Sequence, residues 1–271
     1  MSPNPYEVFA QVYDQDVQLE VPRAFFRTLR PLIAEHVEGP PILDLGCGSG
    51  LVTAALARAG ARVIGVDGSR PMLVRARERC ARFGKRVELV HARLERLQVR
   101  EPARLALACQ DVMNHLPTRA LLGRVFGRIR RALAPGGLLV FDTVTEYCFE
   151  TYWTDNTHLL EGPLGDVLMS CDWDARARRG SARIISYVPK GRGTFTRRDT
   201  VLHEYLHSDA ELTRALRRVG FAEVWSRPWS PWRYQDAEAK RHRRLWCAVT
   251  PGGDARATSR RLRALEFKLV R

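Results

Sequence analysis

The sequence predicts an α/β protein: a doubly wound, seven-stranded, mostly parallel sheet with an antiparallel β insertion after its fifth strand. Three observations carry that expectation. From residue 40 short β-rich runs alternate with helical segments, the pattern of a parallel sheet covered on both faces by helices. A glycine-rich turn, Asp44-Leu45-Gly46-Cys47-Gly48-Ser49-Gly50, sits where the first run passes into a helix. Between 144 and 207 the rhythm breaks into strand-like runs separated by turn residues.

The first 39 residues read as a mostly helical cap. Pro41–Leu45 is a buried strand by its apolar run, and Leu51–Ala59 the helix after the glycine turn. Ala61–Val66 is the second strand, Arg70–Phe83 a helix, Arg86–Val90 the third strand and Leu105–Cys109 the fourth. Apolar residues at 121, 122, 125, 126, 129 and 133 give a helical stripe over Leu121–Leu133. Pro135-Gly136-Gly137 is expected to end that helix and launch Leu138–Phe141 as the fifth strand. The α/β core so defined runs over 40–143. Val167–Trp173, Arg183–Val188 and Thr194–Leu206 read as an antiparallel meander filling 144–207, with turns at Arg178-Arg179-Gly180-Ser181 and Lys190-Gly191-Arg192-Gly193. Helix Ala210–Val219 and strands Phe221–Trp225 and Leu245–Val249 complete the core over 208–250, and 251–271 forms a basic tail.

The chain has 271 residues and a formal net charge of +14. Such charge invites a nucleic-acid partner. Yet the chain carries only four lysines, Lys85, Lys190, Lys240 and Lys268, a skew toward arginine that a GC-rich genome gives at any surface cation position, and the arginines are spread over helices. The segment with Arg260, Arg261, Arg263, Lys268 and Arg271 is the best candidate for a basic patch. No apolar run is long enough to span a bilayer, and the N-terminus has neither the basic start nor the apolar stretch of a signal peptide. The six cysteines show no metal-ligand or CxxC spacing, so neither a disulfide framework nor a metal site is expected, and the reading is cytoplasmic.

Glycines at 46, 48 and 50 allow tight or left-handed backbone, and the N–H groups of the next helix face the same spot. Asp67, ending the second strand, brings a carboxylate over the first strand's carboxyl edge, within reach of a ribose diol. A dinucleotide fingerprint would need glycine at 51, where the chain has Leu51, and a P-loop would need Gly-Lys-Ser/Thr. The D-x-G-x-G-x-G turn instead resembles the nucleoside loop of class I S-adenosylmethionine-dependent methyltransferases, small-molecule enzymes with a Rossmann-like core among them. Gly65-Val66-Asp67-Gly68-Ser69-Arg70-Pro71-Met72-Leu73, Leu133-Ala134-Pro135-Gly136-Gly137-Leu138-Leu139-Val140-Phe141 and Gly220-Phe221 resemble further motifs of that family, in order.

The resemblance implies S-adenosylmethionine as cofactor. By position Asp67, beside Gly68, would hold the ribose hydroxyls, and Gly46, Cys47 and Gly48 would line the cofactor through backbone. Asp44 would fix the loop or meet the methionine amino group, Met72 would pack on adenine, and Gln110 would meet the methionine portion. Where the family often has an acid after its third strand, this chain has Arg93, so adenine recognition falls to the Ala92 backbone, Leu94 or water.

Methyl transfer is an in-line displacement whose leaving group needs no proton, and a base is needed only for a hydroxyl or protonated amine. His115, in Asp111-Val112-Met113-Asn114-His115 after the fourth strand, is the leading candidate base, with a packing role as the alternative. Tyr6 and Tyr13 resemble the N-terminal tyrosines that close over the cofactor in many small-molecule methyltransferases; a hydrophobic staple is equally open. His203 and His207 lie on a strand-like run whose positions 203, 205 and 207 share one face, so one of the three is expected to face the pocket. Tyr147, Phe149, Tyr152, Trp153, Trp173 and Tyr187 either wall an acceptor or form the insertion's own core. The resulting expectation is methylation of N or O on a small organic acceptor, specialised metabolism being one setting, with catalytic candidates His115, Tyr13 and His203. RNA or other nucleic-acid methylation is the alternative, weakened by the missing D/N-P-P-Y/F element. A homodimer is left open, and no membrane partner is expected.

Overall fold

A computed structural model describes residues 5–232, 237–252 and 260. The chain opens with α1 (Pro5–Phe9) and α2 (Asp16–Ala34), then alternates β1 (Ile42–Leu45), α3 (Leu51–Arg58), β2 (Val63–Asp67), α4 (Arg70–Cys80), β3 (Val87–His91) and β4 (Ala103–Ala108). After α5 (Arg119–Ala132) comes β5 (Leu133–Val144), and α6 (Glu146–Cys148) leads into the insertion. The insertion holds β6 (Asn156–Leu160), β7 (Asp166–Asp174), β8 (Arg179–Gly191) and β9 (Thr194–Tyr205). The chain then returns through α7 (Asp209–Arg218), β10 (Glu223–Trp229) and β11 (Arg243–Val249).

Seven strands form one sheet in the order β10-β11-β5-β4-β1-β2-β3, and β6 to β9 form a second, antiparallel sheet. In the first sheet β1 pairs in parallel with both β2 and β4, while β11 runs antiparallel to β5 and β10. The order reverses between β1 and β4. That switch point opens a crevice at the strands' carboxyl ends, where α/β sheets hold ligands.

β1 is buried on both faces because helices cover both. One side packs Leu43, Ala106, Phe126, Phe141 and Trp246 under α5 and α7, and the other packs Phe25, Ile33, Ile42, Leu56 and Val140 under α2 and α3. Trp246 stacks on Phe141 with centroids 5.8 Å apart. Helix starts follow their side chains: the Thr118 hydroxyl accepts from Leu121 N at 3.1 Å, and Ser208 and Glu211 form a capping box on α7.

Four local expectations are corrected. β5 starts at Leu133, ahead of Pro135-Gly136-Gly137. The register against β4 shifts between Ala103 and Leu105, so the glycines, with Gly136 at φ 72°, form an irregularity inside the strand instead of a stop before it. β8 starts at Arg179, which puts Gly180 in the strand. A Cβ there would lie 2.6 Å from Trp153 and 2.7 Å from Phe149, so this glycine serves packing, not a turn. The short, alternating edge strand β6 was missed. The helix after β2 ends at Cys80 and continues as a 3-10 turn over Ala81–Arg86.

Phe149, Trp153 and Trp173 pack with one another and with Val144, Cys148 and Leu206, Phe149 stacking on Trp173 at 4.5 Å. They are the insertion's own core, and none of the six insertion aromatics lines the main cavity. The expected basic tail lies outside the described residues except Pro251, Gly252 and Arg260.

Candidate active site

At the switch point the loop from β1 to α3 is pinned to β2, because Gly46 N and Cys47 N both donate to Val66 O, at 2.8 and 3.1 Å. Its three glycines do different work. At Gly46 (φ +68°) a Cβ would lie 2.7 Å from Val112 Cγ2, and at Gly50 (φ +81°) 2.9 Å from the Ala76 Cβ of α4. At Gly48 (φ +52°) a Cβ would meet nothing within 4 Å, because that backbone faces open space.

Asp67 ends β2 beside that space. Its Oδ2 accepts from Gly48 N at 2.8 Å and its Oδ1 from Ser69 N at 2.7 Å. Burial pushes its carboxyl up, and those two N–H groups oppose the shift. Asp44 is 1% exposed and accepts from the Thr53 hydroxyl at 2.5 Å, so it ties the loop's first strand to α3. Burial lifts its carboxyl to about 6.

The open space is a cavity of about 820 Å³. Asp44, Gly46, Cys47, Gly48, Asp67, Gly68 and Met72 line one half of it, with Arg93 and Gln110. Tyr13, His115 and His203 also reach it, as do Tyr6, Leu116, Pro117 and Val201. Ala92 alone among the expected site residues is not on its wall; its N–H donates to Asp67 O at 3.0 Å. Arg93 is paired with Glu95 at 2.9 Å. The segment carrying Tyr13 is clasped over the glycine loop: Asp14 takes the Ser49 hydroxyl at 2.5 Å, Arg79 at 2.9 Å and Arg75 at 3.2 Å.

The other half is built by side chains. Gln110 (φ 69°) and Asp111 (φ 51°) take left-handed backbone after β4, a costly conformation for non-glycine residues. Gln110 N donates to Asp142 Oδ1 at 2.7 Å. The Arg243 guanidinium sits between Asp142 and Asp111, 2.5 Å from Asp111 Oδ1. Glu204, 5% exposed on β9, completes the cluster, and its Oε2 has no hydrogen-bond partner. Burial and the neighbouring Asp111 push the Glu204 carboxyl far up, while Asp142 rises to about 6 with Arg243 opposing. Asp111, His115 and Glu204 present ligand-type atoms within 4.8 Å of one another, but the cluster already holds a cation of its own in Arg243.

His115 closes this half. A carbonyl only accepts, so the bond of 3.4 Å to His203 O puts the proton on His115 Nδ1. Nε2 then has its lone pair free to accept from the Tyr6 hydroxyl, 3.0 Å away. Burial lowers the His115 pKa, with Asp111, 3.9 Å from Nε2, opposing, and burial raises that of the Tyr6 phenol. His203 reaches His115 by its carbonyl; its ring turns to the Ser181 hydroxyl at 3.0 Å. His207 lies beyond β9 with its ring on Leu116 O.

Residues 42–137 match the family described as a methyltransferase domain. A ubiquinone biosynthesis O-methyltransferase of Methylococcus capsulatus is 31% identical over 135 residues, 49% of this chain and 56% of that protein. One of Xylella fastidiosa is 27% identical over 243 residues, 85% of this chain and 84% of its own. The first relatives are thus matched over only about half their length, 56% and 46%. The crystal structure of an S-adenosylmethionine-dependent methyltransferase from Clostridium acetobutylicum superposes with a TM-score of 0.73 at 19% identity, over 92% of this chain and 100% of that one. The methyltransferase-domain match over 42–137 and these relatives support the resemblance to class I S-adenosylmethionine-dependent methyltransferases, and the superposition shows their fold.

Asp142, Glu204 and Arg243, which build the buried cluster behind His115, were missed in the sequence. Asp142 had a local signal, a charge inside the apolar run Leu138–Val144. Glu204 and Arg243 had none, because only the fold brings β9 and β11 to the turn after β4.

Proposed function

We propose that this protein transfers the methyl group of S-adenosylmethionine to a nitrogen or oxygen atom of a small organic molecule. The observation that carries this reading is the single cavity joining Gly48 and Asp67 at one end to Tyr6 and His115 at the other. The fit to the cofactor rests on the open space over Gly48 and on Asp67, whose oxygens each retain a lone pair for a ribose hydroxyl beyond their backbone bonds. Asp67 would hold the ribose, the backbone of Gly46 to Gly48 the methionine portion with Gln110, and Met72, Ala92 and Arg93 the surroundings of adenine. When bound, the cofactor supplies an electrophilic methyl on a sulfonium, and the carbon–sulfur bonding pair stays on sulfur as the acceptor's lone pair bonds to carbon.

The chain's own work is alignment, exclusion of water and removal of a proton. Tyr6 and Tyr13 cover the cavity. His115 Nε2 takes the acceptor's proton, directly or through the Tyr6 hydroxyl, and Asp111 steadies the imidazolium. Lowered by burial, His115 stays neutral below the usual imidazole range, so the acid limb of the rate profile should fall below about 6.5. His115→Ala should cut turnover by about 10²–10⁴-fold and leave cofactor affinity unchanged.

Names of relatives support a small acceptor, both being ubiquinone biosynthesis enzymes. No described helix is long and apolar enough to cross a membrane. The six cysteines are free and buried, which supports a reducing compartment and a cytoplasmic placement. Calorimetric titration with S-adenosylmethionine and S-adenosylhomocysteine is the test: both should bind, and binding of neither would overturn the reading.

A further inference from the structure

We propose that the acceptor is a cationic amine, held at the Tyr6–His115 wall by the acidic cluster buried behind it; this inference rests on the methyltransferase reading above. The groups facing that wall come from six elements: Asp111 and His115 after β4, Asp142 on β5, Cys148 on α6, Glu204 on β9, Arg243 on β11 and Tyr6 on α1. Three carboxyls thus face one guanidinium. Burial keeps the Cys148 thiol protonated, pushed up to about 12, and keeps the Tyr6 phenol neutral. With one proton held on Glu204, the cluster still carries one negative charge more than Arg243 balances.

Uncompensated charge in a dry interior is costly, and among the described residues no second permanent cation reaches the cluster while His115 is neutral. Among the described residues no donor reaches Glu204 Oε2, and Asp111 lies 3.9 Å from the one nitrogen of His115 that meets the cavity side through Tyr6. In a chain of net charge +14 this excess is opposite in sign to the whole. A ligand cation at the wall supplies what the cluster lacks. An alcohol does not.

The same wall can undo the charge it attracts. The ammonium's N–H bond breaks, its proton passes to the Tyr6 oxygen as the Tyr6 proton passes to His115 Nε2, and the electron pair stays on nitrogen. The imidazolium then stands beside Asp111, so the cluster keeps its compensating cation while the amine becomes a nucleophile. Methylation of that lone pair returns a secondary ammonium to the same negative wall. This departs from the oxygen acceptors in the relatives' names, which belong to proteins only 27–31% identical.

The test uses the full chain saturated with S-adenosylhomocysteine, which cannot react. Benzylamine and benzyl alcohol, cyclohexylamine and cyclohexanol, and glucosamine and glucose are titrated as pairs by calorimetry near pH 7.5. At least one amine should bind about tenfold or more tighter than its alcohol, and Asp111→Asn should erase that preference with S-adenosylhomocysteine affinity unchanged. The inference is overturned if no amine outbinds its alcohol, including the case where none binds. It is overturned equally if Asp111→Asn, still binding S-adenosylhomocysteine, keeps the preference; if that variant does not fold, the wild-type pairs decide alone. Failure of the parent reading shows separately, as absence of S-adenosylhomocysteine binding to the wild-type protein, and takes this inference with it.

Discussion

Around Gly48 and Asp67 the cavity wall is made of backbone from one strand–turn–helix unit and the strand beside it. Around His115 it is made of side chains from α1, from the turn after β4 and from β9, backed by a buried cluster that adds β5 and β11. The first half keeps its shape through glycine angles and ladder hydrogen bonds, which depend little on anything distant. The second depends on a buried charge balance, in which each group is tolerable only because the others are present. One half is locally encoded and the other is held in common by the whole fold.

The sharpest way to break that contrast is Arg243→Leu. Removing the guanidinium leaves Asp111 and Asp142 facing each other in a dry site, so urea unfolding should show a loss of about 3–5 kcal/mol. A loss below 1 kcal/mol would mean the second half is not held by charge. Next in size is Asp44, whose carboxyl is raised from 3.8 to about 6 by burial. Between those values the folded chain binds more protons at this carboxyl than the unfolded one, so its contribution to stability is greatest below pH 4 and is lost as pH rises through 6. At about 1.4 kcal/mol per pKa unit this contribution amounts to about 3 kcal/mol at most. Asp44→Asn should flatten that slope in urea unfolding measured across pH 4–6; an unchanged slope would remove Asp44 as its source.

Asp67→Ala should weaken cofactor binding by about 1–3 kcal/mol, the worth of hydrogen bonds to a charged group. Calorimetry reads this, with the melting temperature as the control for folding. The smallest effect is expected at Gly48→Ala, where the left-handed angle costs about 1–2 kcal/mol but no neighbour is struck. At Gly50→Ala the same angle is joined by a collision with Ala76, so thermal melts should rank Gly50→Ala below Gly48→Ala in stability. Equal melting temperatures would show that α4 yields to the added methyl.

What was legible in the sequence follows the same division. The parallel sheet, the glycine turn and Asp67 were readable because strand, turn and acid follow one another within a short stretch, and the local backbone demands those residue types. His115 and Tyr6 were readable as separate candidates, but nothing in their spacing says that Tyr6 donates to His115. Glu204 is one charge within the strand-like run Thr194–Leu206, and Arg243 falls just ahead of the expected strand Leu245–Val249. Their burial is set by pairing across two sheets, a property no window of the chain contains. Gly180 taught the reverse lesson: a turn-like composition was overridden by the need to fit Phe149 and Trp153 against a strand.

Asn114 and His115 have one more consequence. β9 is an edge strand of the second sheet, and edge carbonyls are open templates for another chain. Here the carbonyl of Tyr205 is taken by the Asn114 amide at 3.1 Å and that of His203 by His115. The turn that furnishes this wall of the cavity thereby also blunts an open sheet edge. The edge of the second sheet and the wall of the cavity are consequently tied to one turn, and an alteration made at the one is felt at the other.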